Sequence, residues 1–200
     1  HAADLDGDGD NDLAVTVREA GVSILLNNGD GTYQAAVGYT TGEQPYSVSA
    51  ADLDGDGDND LAVANRDSDN TSVLLNNGDG TYQEAVGYST GEQPYSVFAA
   101  DLDGDGDVDA VIANVDAAQE VWLNDGSGDF GASAHDSFGV GYTISVALGD
   151  VDGDGDLDLA VGNLQENWLY SKKGKGAVNN LAAGDFTDGY GESTRSLAWG

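Results

Sequence analysis

Apolar residues fall in short runs, each closed within a few positions by glycine, asparagine or aspartate. No stretch carries the 3.6-residue apolar period of an amphipathic helix, so the chain reads as strands and turns throughout. In one stretch, Ser47–Ala51 and Leu61–Ala64 flank an acidic loop and are rich in small and apolar residues, as strands covered on both faces are. Ser72–Leu75 then runs into Asn77-Gly78-Asp79-Gly80, a hairpin signal because asparagine and glycine accept positive φ. Thr81–Val86 is expected to return as a fourth strand, and Gly91–Pro94 to cross to the next unit, with proline ending any pairing.

This unit recurs. Ala2–Val15 and Ala50–Val63 both read AADLDGDGDNDLAV, and related copies begin at Asp101 (DLDGDGDVDAVIAN) and Asp150 (DVDGDGDLDLAVGN). The loops opening at Asp4, Asp52, Asp101 and Asp150 are spaced 48, 49 and 49 residues apart. LLNNGDGTYQ occurs at 25–34 and 74–83, and TGEQPYSV at 41–48 and 90–97. Four strands in a period of this length is the size of a propeller blade. The expectation is an all-β fold: a β-propeller segment over 1–200, with four blades of four antiparallel strands. Its repeats lie at about 1–46, 47–95, 96–144 and 145–195, and 196–200 is the first strand of a further blade.

Composition narrows the partners. Against 37 acidic residues there are 6 basic ones, for a net charge of -31. Such a surface repels nucleic acid and anionic membranes and favours metal cations and basic partners. With 40% hydrophobic residues and 16 aromatics, a core is affordable and disorder is not implied. There is no cysteine, so something other than disulfides must hold the loops. No apolar run approaches the length of a membrane helix, so membrane insertion is not expected. No signal peptide is visible and no methionine occurs, so a processed product, an excised piece or part of a longer chain is expected.

The candidate chemistry lies in the acidic loops. In the first, Asp4, Asp6, Asp8, Asp10 and Asp12 alternate around Gly7 and Gly9. Calcium takes six to eight oxygen ligands at about 2.3–2.6 Å. Carboxylates at loop positions 1, 3, 5 and 9 converge if the chain curls tightly. Position 7 then supplies its backbone carbonyl, and its side chain faces water. The candidate ligand residues of the other loops are Asp52, Asp54, Asp56, Asp58 and Asp60; Asp101, Asp103, Asp105, Asp107 and Asp109; and Asp150, Asp152, Asp154, Asp156 and Asp158. The opening resembles an EF-hand, but position 12 is Val15, Val63, Ile112 and Val161 rather than glutamate. Position 9 must therefore serve as the bidentate ligand. Asp-Gly runs are also good turns on a solvated edge. Turns, however, do not need five carboxylates in nine residues, and substitutions fall only off the ligand positions, where Asn11 and Asn59 become Val108 and Leu157. Four calcium ions, one per loop, are expected.

The D-x-D-G-D-G-x-x-D loops, the DLAVAN-type strands, the VLLNNGDGTY hairpin and the Gly-x-x-Pro-Tyr-Ser-Val linker together resemble FG-GAP/VCBS repeats, the family that also builds the integrin α-subunit propeller. The resemblance covers nearly the whole chain. It implies a seven- or eight-bladed propeller, an extracellular or cell-surface protein, and calcium bracing each blade. The fourth unit departs from the pattern after Trp168, where its hairpin reads SKKGKG.

Function follows less directly. Ser133, His135 and Asp136 are too local to form a triad, and the carboxylates are committed to metal, so no catalytic residue is assigned. The leading reading is a module for binding or adhesion to protein or carbohydrate. The alternatives are a building block of an extracellular assembly and, by the resemblance, the propeller of a polysaccharide-degrading enzyme. Tyr33, Tyr39, Tyr46, Tyr82, Tyr88, Tyr95 and Phe130 recur with the repeat and read as packing between blades rather than sugar platforms. Trp122 and Trp168 read as equivalent third-strand positions. Lys172, Lys173 and Lys175 are half of all basic residues. Asn70-Thr71-Ser72 is a glycosylation sequon, making Asn70 a candidate site. His1–Ala3 aligns with Ser49–Ala51, and Ser196–Gly200 with Ser145–Gly149. The expected outcomes are a longer propeller, a closed four-bladed ring, or self-assembly through the incomplete terminal blades.

Overall fold

A computed structural model describes residues 1–139, 142–151, 153–163, 168–171 and 182–185. Asp152, Lys172, Lys173 and Lys175, and the strand expected at 196–200, lie outside these residues. Four antiparallel sheets follow one another along the chain, each a four-stranded meander in sequence order. Blade 1 holds β1 (Ala2–Ala3), β2 (Asp12–Val17), β3 (Gly21–Leu25) and β4 (Val37–Tyr39). Blade 2 holds β5 (Pro45–Ala51), β6 (Asp60–Asn65), β7 (Asn70–Leu74) and β8 (Val86–Ser89). Blade 3 holds β9 (Pro94–Ala100), β10 (Asp109–Asn114), β11 (Gln119–Trp122) and β12 (Asp136–Phe138). Blade 4 holds β13 (Thr143–Gly149), β14 (Asp158–Asn163), β15 (Trp168–Ser171) and β16 (Ala182–Asp185). The fold is an all-β propeller with no α-helix among the described residues; one 3-10 turn covers Arg66–Ser68.

The core lies between blades. The second strands β6, β10 and β14 are buried at every residue; β6 and β10 each meet a neighbouring blade on both faces, and β14 packs Leu159 and Val161 on blade 3. Leu61, Val63 and Leu74 of blade 2 pack on Ala14, Val22 and Ile24 of blade 1. The opposite face, Ala62, Ala64 and Val73, packs on Ala110, Ile112 and Trp122 of blade 3. In blade 1, β2 instead alternates, leaving Val15 43% exposed where the equivalent Val63 is fully buried.

Three expectations need correction. The segment Thr81–Ala85 is not a strand: Tyr82 makes one isolated bridge to Asn76, and the fourth strand begins at Val86. The hairpin glycines prolong the turn and delay pairing. Proline opens rather than ends pairing. Pro45 and Pro94 are the first residues of β5 and β9, each beside a register shift that tolerates the missing N–H. Finally, Trp122 pairs with Ala110 while Tyr170 pairs with Leu159, the residue equivalent to Ala110, so Tyr170 rather than Trp168 matches Trp122.

The aromatic residues largely follow the packing reading. Tyr82 and Phe130 are buried, Tyr39 meets Tyr82 edge-on at 5.4 Å, and Tyr88 meets Phe130 and Trp122 at 5.7 and 6.1 Å. Tyr46 lies against Tyr95 at 4.4 Å. Tyr33, on blade 1, is exposed.

Candidate metal centres

In blades 1 to 3 the topology brings the acidic loop and the hairpin between third and fourth strands to one end of the blade. In blade 2, Gly55 and Gly57 take φ of 77° and 96°, which curls the chain back over the Asp52 side chain. Asp52 then accepts the backbone N–H of Gly55 at 2.8 Å and of Gly57 at 3.0 Å. Asp54 and Asp56 accept the N–H groups two residues on, at 3.3 and 2.9 Å. Blades 1 and 3 repeat the pattern from Asp4 and Asp101. In blade 4, Asp150 accepts Gly153 and Gly155 N–H, and Asp154 accepts Asp156 N–H.

Position 9 anchors each loop. Asp60 is fully buried and accepts Leu53 N–H at 2.8 Å and Asn76 N–H at 2.7 Å, one on each oxygen. Asp12 and Asp109 do the same with Leu5 and Asn27, and with Leu102 and Asn124. Asp158 accepts Val151 N–H at 2.8 Å. Each carboxylate oxygen keeps a further lone pair for a cation. Burial pushes the Asp60 and Asp109 carboxyls up to about 6, the backbone donors pulling the other way and the neighbouring loop aspartates adding to the rise. Carboxylate oxygens of Asp52, Asp54 and Asp60 lie within 4.8 Å of one another, as do those of Asp101, Asp103 and Asp109, and of Asp4, Asp6 and Asp8.

The position-7 side chains do not simply face water. They lie over the hairpin glycine of the same blade. A Cβ at Gly78 would fall 2.7 Å from an Asp58 carboxylate oxygen, and Gly29 with Asp10 and Gly126 with Asp107 show the same approach at 2.6 and 2.7 Å. The three half-buried carboxylates therefore leave no room for a side chain at the hairpin glycine, which is required by contact as well as by its φ of 81° in Gly78.

Two roles escaped the sequence reading. The residue at position 2 is a plug between blades: Leu5, Leu53 and Leu102 are buried in the three inter-blade clusters. The asparagine after the third strand is a strap between loops in blades 2 and 3. Asn76 Nδ2 donates to its own loop at Asn59 O (2.9 Å) and across the blade boundary to Leu5 O (2.8 Å). Asn124 Nδ2 likewise donates to Val108 O (2.9 Å) and to Leu53 O (2.6 Å). Asn59 adds a bond from its Nδ2 to Asp4 O at 2.8 Å. The peptide at position 2 thus donates to its own position-9 aspartate and accepts from the next blade. The only available signal was the recurrence of asparagine at 27, 76 and 124.

Of the other predicted sites, Asn70 opens β7 half-buried, its side-chain oxygen accepting Asn65 Nδ2 at 2.8 Å. His135 is exposed, and its backbone N–H donates to Val121 O at 2.8 Å.

The loop donors are all carboxylate and carbonyl oxygens, which suits a hard divalent cation. A family model for the FG-GAP-like repeat matches residues 4–63, 52–112 and 101–161, registered on these loops. The chain belongs to the FG-GAP-like repeat family. Among solved structures, this FG-GAP chain is similar to an Agrocybe aegerita lectin described for specific recognition of non-reducing terminal N-acetylglucosamine. The two are 27% identical with a TM-score of 0.63, over 91% of this chain and 50% of the lectin. BBS1N in complex with ARL6DN is 11% identical with a TM-score of 0.61, over 84% of this chain and 51% of that one. The Tc holotoxin pore of Photorhabdus luminescens is 20% identical with a TM-score of 0.50, over 80% and 8%. The last two share the fold alone. The FG-GAP chain spans about half the length of the lectin and of BBS1N. No curated protein matches it.

Proposed function

We propose that this FG-GAP chain is a calcium-braced, non-catalytic binding module that works outside the cell, with carbohydrate as its favoured ligand class. The observation that carries the calcium reading is the inward convergence of loop carboxylates in blades 1 to 3, with no cationic side chain paired to them among the described residues. The one ion pair among the described residues, Arg66–Asp67 at 3.5 Å, lies at the other end of blade 2. Positions 1, 3, 5 and 9 would hold the ion with their carboxylates and position 7 with its carbonyl. The ion would supply the positive charge that lets these groups stay ionised together. Sites of extracellular modules bind at about 10⁻⁴–10⁻³ M, matched to millimolar calcium outside the cell. The carbohydrate preference is supported by the lectin, whose identity to this chain is above that of the other propellers described.

Thermal melting in millimolar calcium and in EGTA tests the bracing. Ions that bind only the folded state stabilise it by about 1 kcal/mol per site at a few times the dissociation constant. Four such sites raise the melting temperature by about 10 °C. Equal melting temperatures would remove calcium from the account.

A further inference from the structure

Two linkers have the same sequence, Thr-Gly-Glu-Gln-Pro-Tyr-Ser-Val, at 41–48 and 90–97. Each holds its glutamine in the left-handed region, Gln44 and Gln93 both at φ 53°. That conformation is costly for a side-chain-bearing residue and needs support. On the carbonyl side the support is the same: Gln44 O accepts Arg66 N–H at 2.9 Å, and Gln93 O accepts Val115 N–H at 3.1 Å. On the N–H side the two differ. Gln93 N–H donates to the carboxylate of Asp69 at 2.8 Å. Asp69 is the last residue of blade 2's turn, where Arg66–Asp69 separate the paired Asn65 and Asn70. Blade 1's turn is one residue shorter, with Arg18–Ala20 between the paired Val17 and Gly21. No carboxylate reaches the first linker from that turn, and Gln44 N–H has no partner among the described residues. In its place lies a groove of about 360 Å³, lined among others by Arg18, Glu19, Thr41, Glu43, Gln44 and Asp67.

We propose that this groove is a saccharide-binding site, in which Gln44 N–H donates to a ligand hydroxyl at the place that the Asp69 carboxylate fills one blade further on. The volume lies in the range of small-ligand sites. Its donors are Gln44 N–H and the Arg18 guanidinium, and its acceptors are the carboxylates of Glu19, Glu43 and Asp67. A hydroxyl can accept from the first set and donate to the second. A carboxylate or sulfate ligand meets three like charges on a chain of net charge -31, and an apolar ligand offers Gln44 N–H no acceptor and the Glu19 and Glu43 carboxylates no donor. Arg18 is held before any ligand arrives: its Nη2 donates to Tyr46 Oη, and its guanidinium carbon lies 4.8 Å from the centre of the Tyr46 ring. The entropy cost of ordering that side chain is therefore met by the fold rather than by the ligand.

The site rests on the reading of the chain as a carbohydrate-binding module. Its test is calorimetry of the 200-residue chain in millimolar calcium, with N-acetylglucosamine, its β1,4-linked dimer and a panel of neutral hexoses as probes and glucuronic acid as the charged counterpart. The structure predicts binding of at least one neutral sugar and none of glucuronic acid. Putting blade 2's turn sequence, residues 66–70, in place of residues 18–21 supplies an internal carboxylate for Gln44 and is expected to abolish binding. Arg18→Ala leaves the turn length intact and is expected to weaken binding at least tenfold, the loss of one charged donor. If both variants bind the sugar as the parent does, the groove is not the site and the carbohydrate reading stands. If the parent binds none of the neutral sugars, both fall. Stronger binding of glucuronic acid would overturn the ligand class.

Discussion

The two ends of a blade differ in how closely they repeat. At the loop end, blades 1 to 3 place the same aspartates, the same glycines and the same asparagine in the same bonds. At the turn end, Arg18–Ala20 is one residue shorter than Arg66–Asp69 and Val115–Ala118, the three share little sequence, and the bonds they make differ with them. The loop end is internally over-determined. The position-1 and position-9 carboxylates hold backbone of their own blade and Asn76 and Asn124 reach across a blade boundary, so a change at one of these positions propagates. The turn end carries single contacts that each blade can vary alone. Constancy marks what holds the propeller together, and variation marks where specificity can be placed.

The sharpest way to break this contrast is at position 9. Asp60→Ala removes the acceptor for two backbone N–H groups, Leu53 and Asn76, in a fully buried setting, and is expected to cost about 3–5 kcal/mol, measured by denaturant unfolding. The cost should persist in EGTA, because the carboxylate anchors backbone whether or not metal is bound. A loss confined to calcium would make Asp60 a ligand only. Next comes the strap. Asn124→Leu leaves Leu53 O and Val108 O without their donor and takes the acceptor from Gly126 and Gly128 N–H, with an expected cost of about 2–4 kcal/mol.

Protons give a smaller and reversible probe. Asp60 and Asp109 titrate near 6 when folded, against an ordinary 3.8. The folded state therefore binds their protons more tightly than the unfolded chain. That contribution is full below about pH 3.8 and is lost as pH rises to about 6. Metal-free protein should lose of order 1–3 kcal/mol per group over that window, and its melting temperature in EGTA should fall between pH 4 and pH 6. Calcium competes for the same oxygens, so its affinity should weaken as pH drops below about 6. A rising melting temperature in EGTA across the window would contradict the burial of uncompensated carboxylates. The smallest expected effect lies at the turn end. Asp116→Ala, on the exposed turn of blade 3, should shift the melting temperature by no more than about 2 °C.

The repeat made the blades legible, because a sheet covered on both faces needs second strands such as DLAVAN that are apolar at successive positions rather than alternating ones. The loops were legible because carboxylates at alternating positions have few other uses. What the residues alone did not reveal was set by contacts between units. Leu5 and Leu53 look like spacers between aspartates until the neighbouring blade closes over them. Asn76 looks like a turn residue until its amide is seen to reach the preceding loop. The side chains of Asp10, Asp58 and Asp107 look solvated until the hairpin glycine is found beneath them. The equivalence of Trp122 and Trp168 failed for a related reason: strand register is fixed by pairing, and a change in turn length shifts it by residues that composition does not record.

The most direct test of the account counts ions. Native mass spectrometry of the chain exchanged into volatile buffer with calcium should show four bound calcium ions per chain, moving the net charge from -31 toward -23. Asp60→Ala should remove one of them. A mass that matches the bare polypeptide at every calcium concentration up to a few millimolar would contradict the claim that the acidic loops are metal centres.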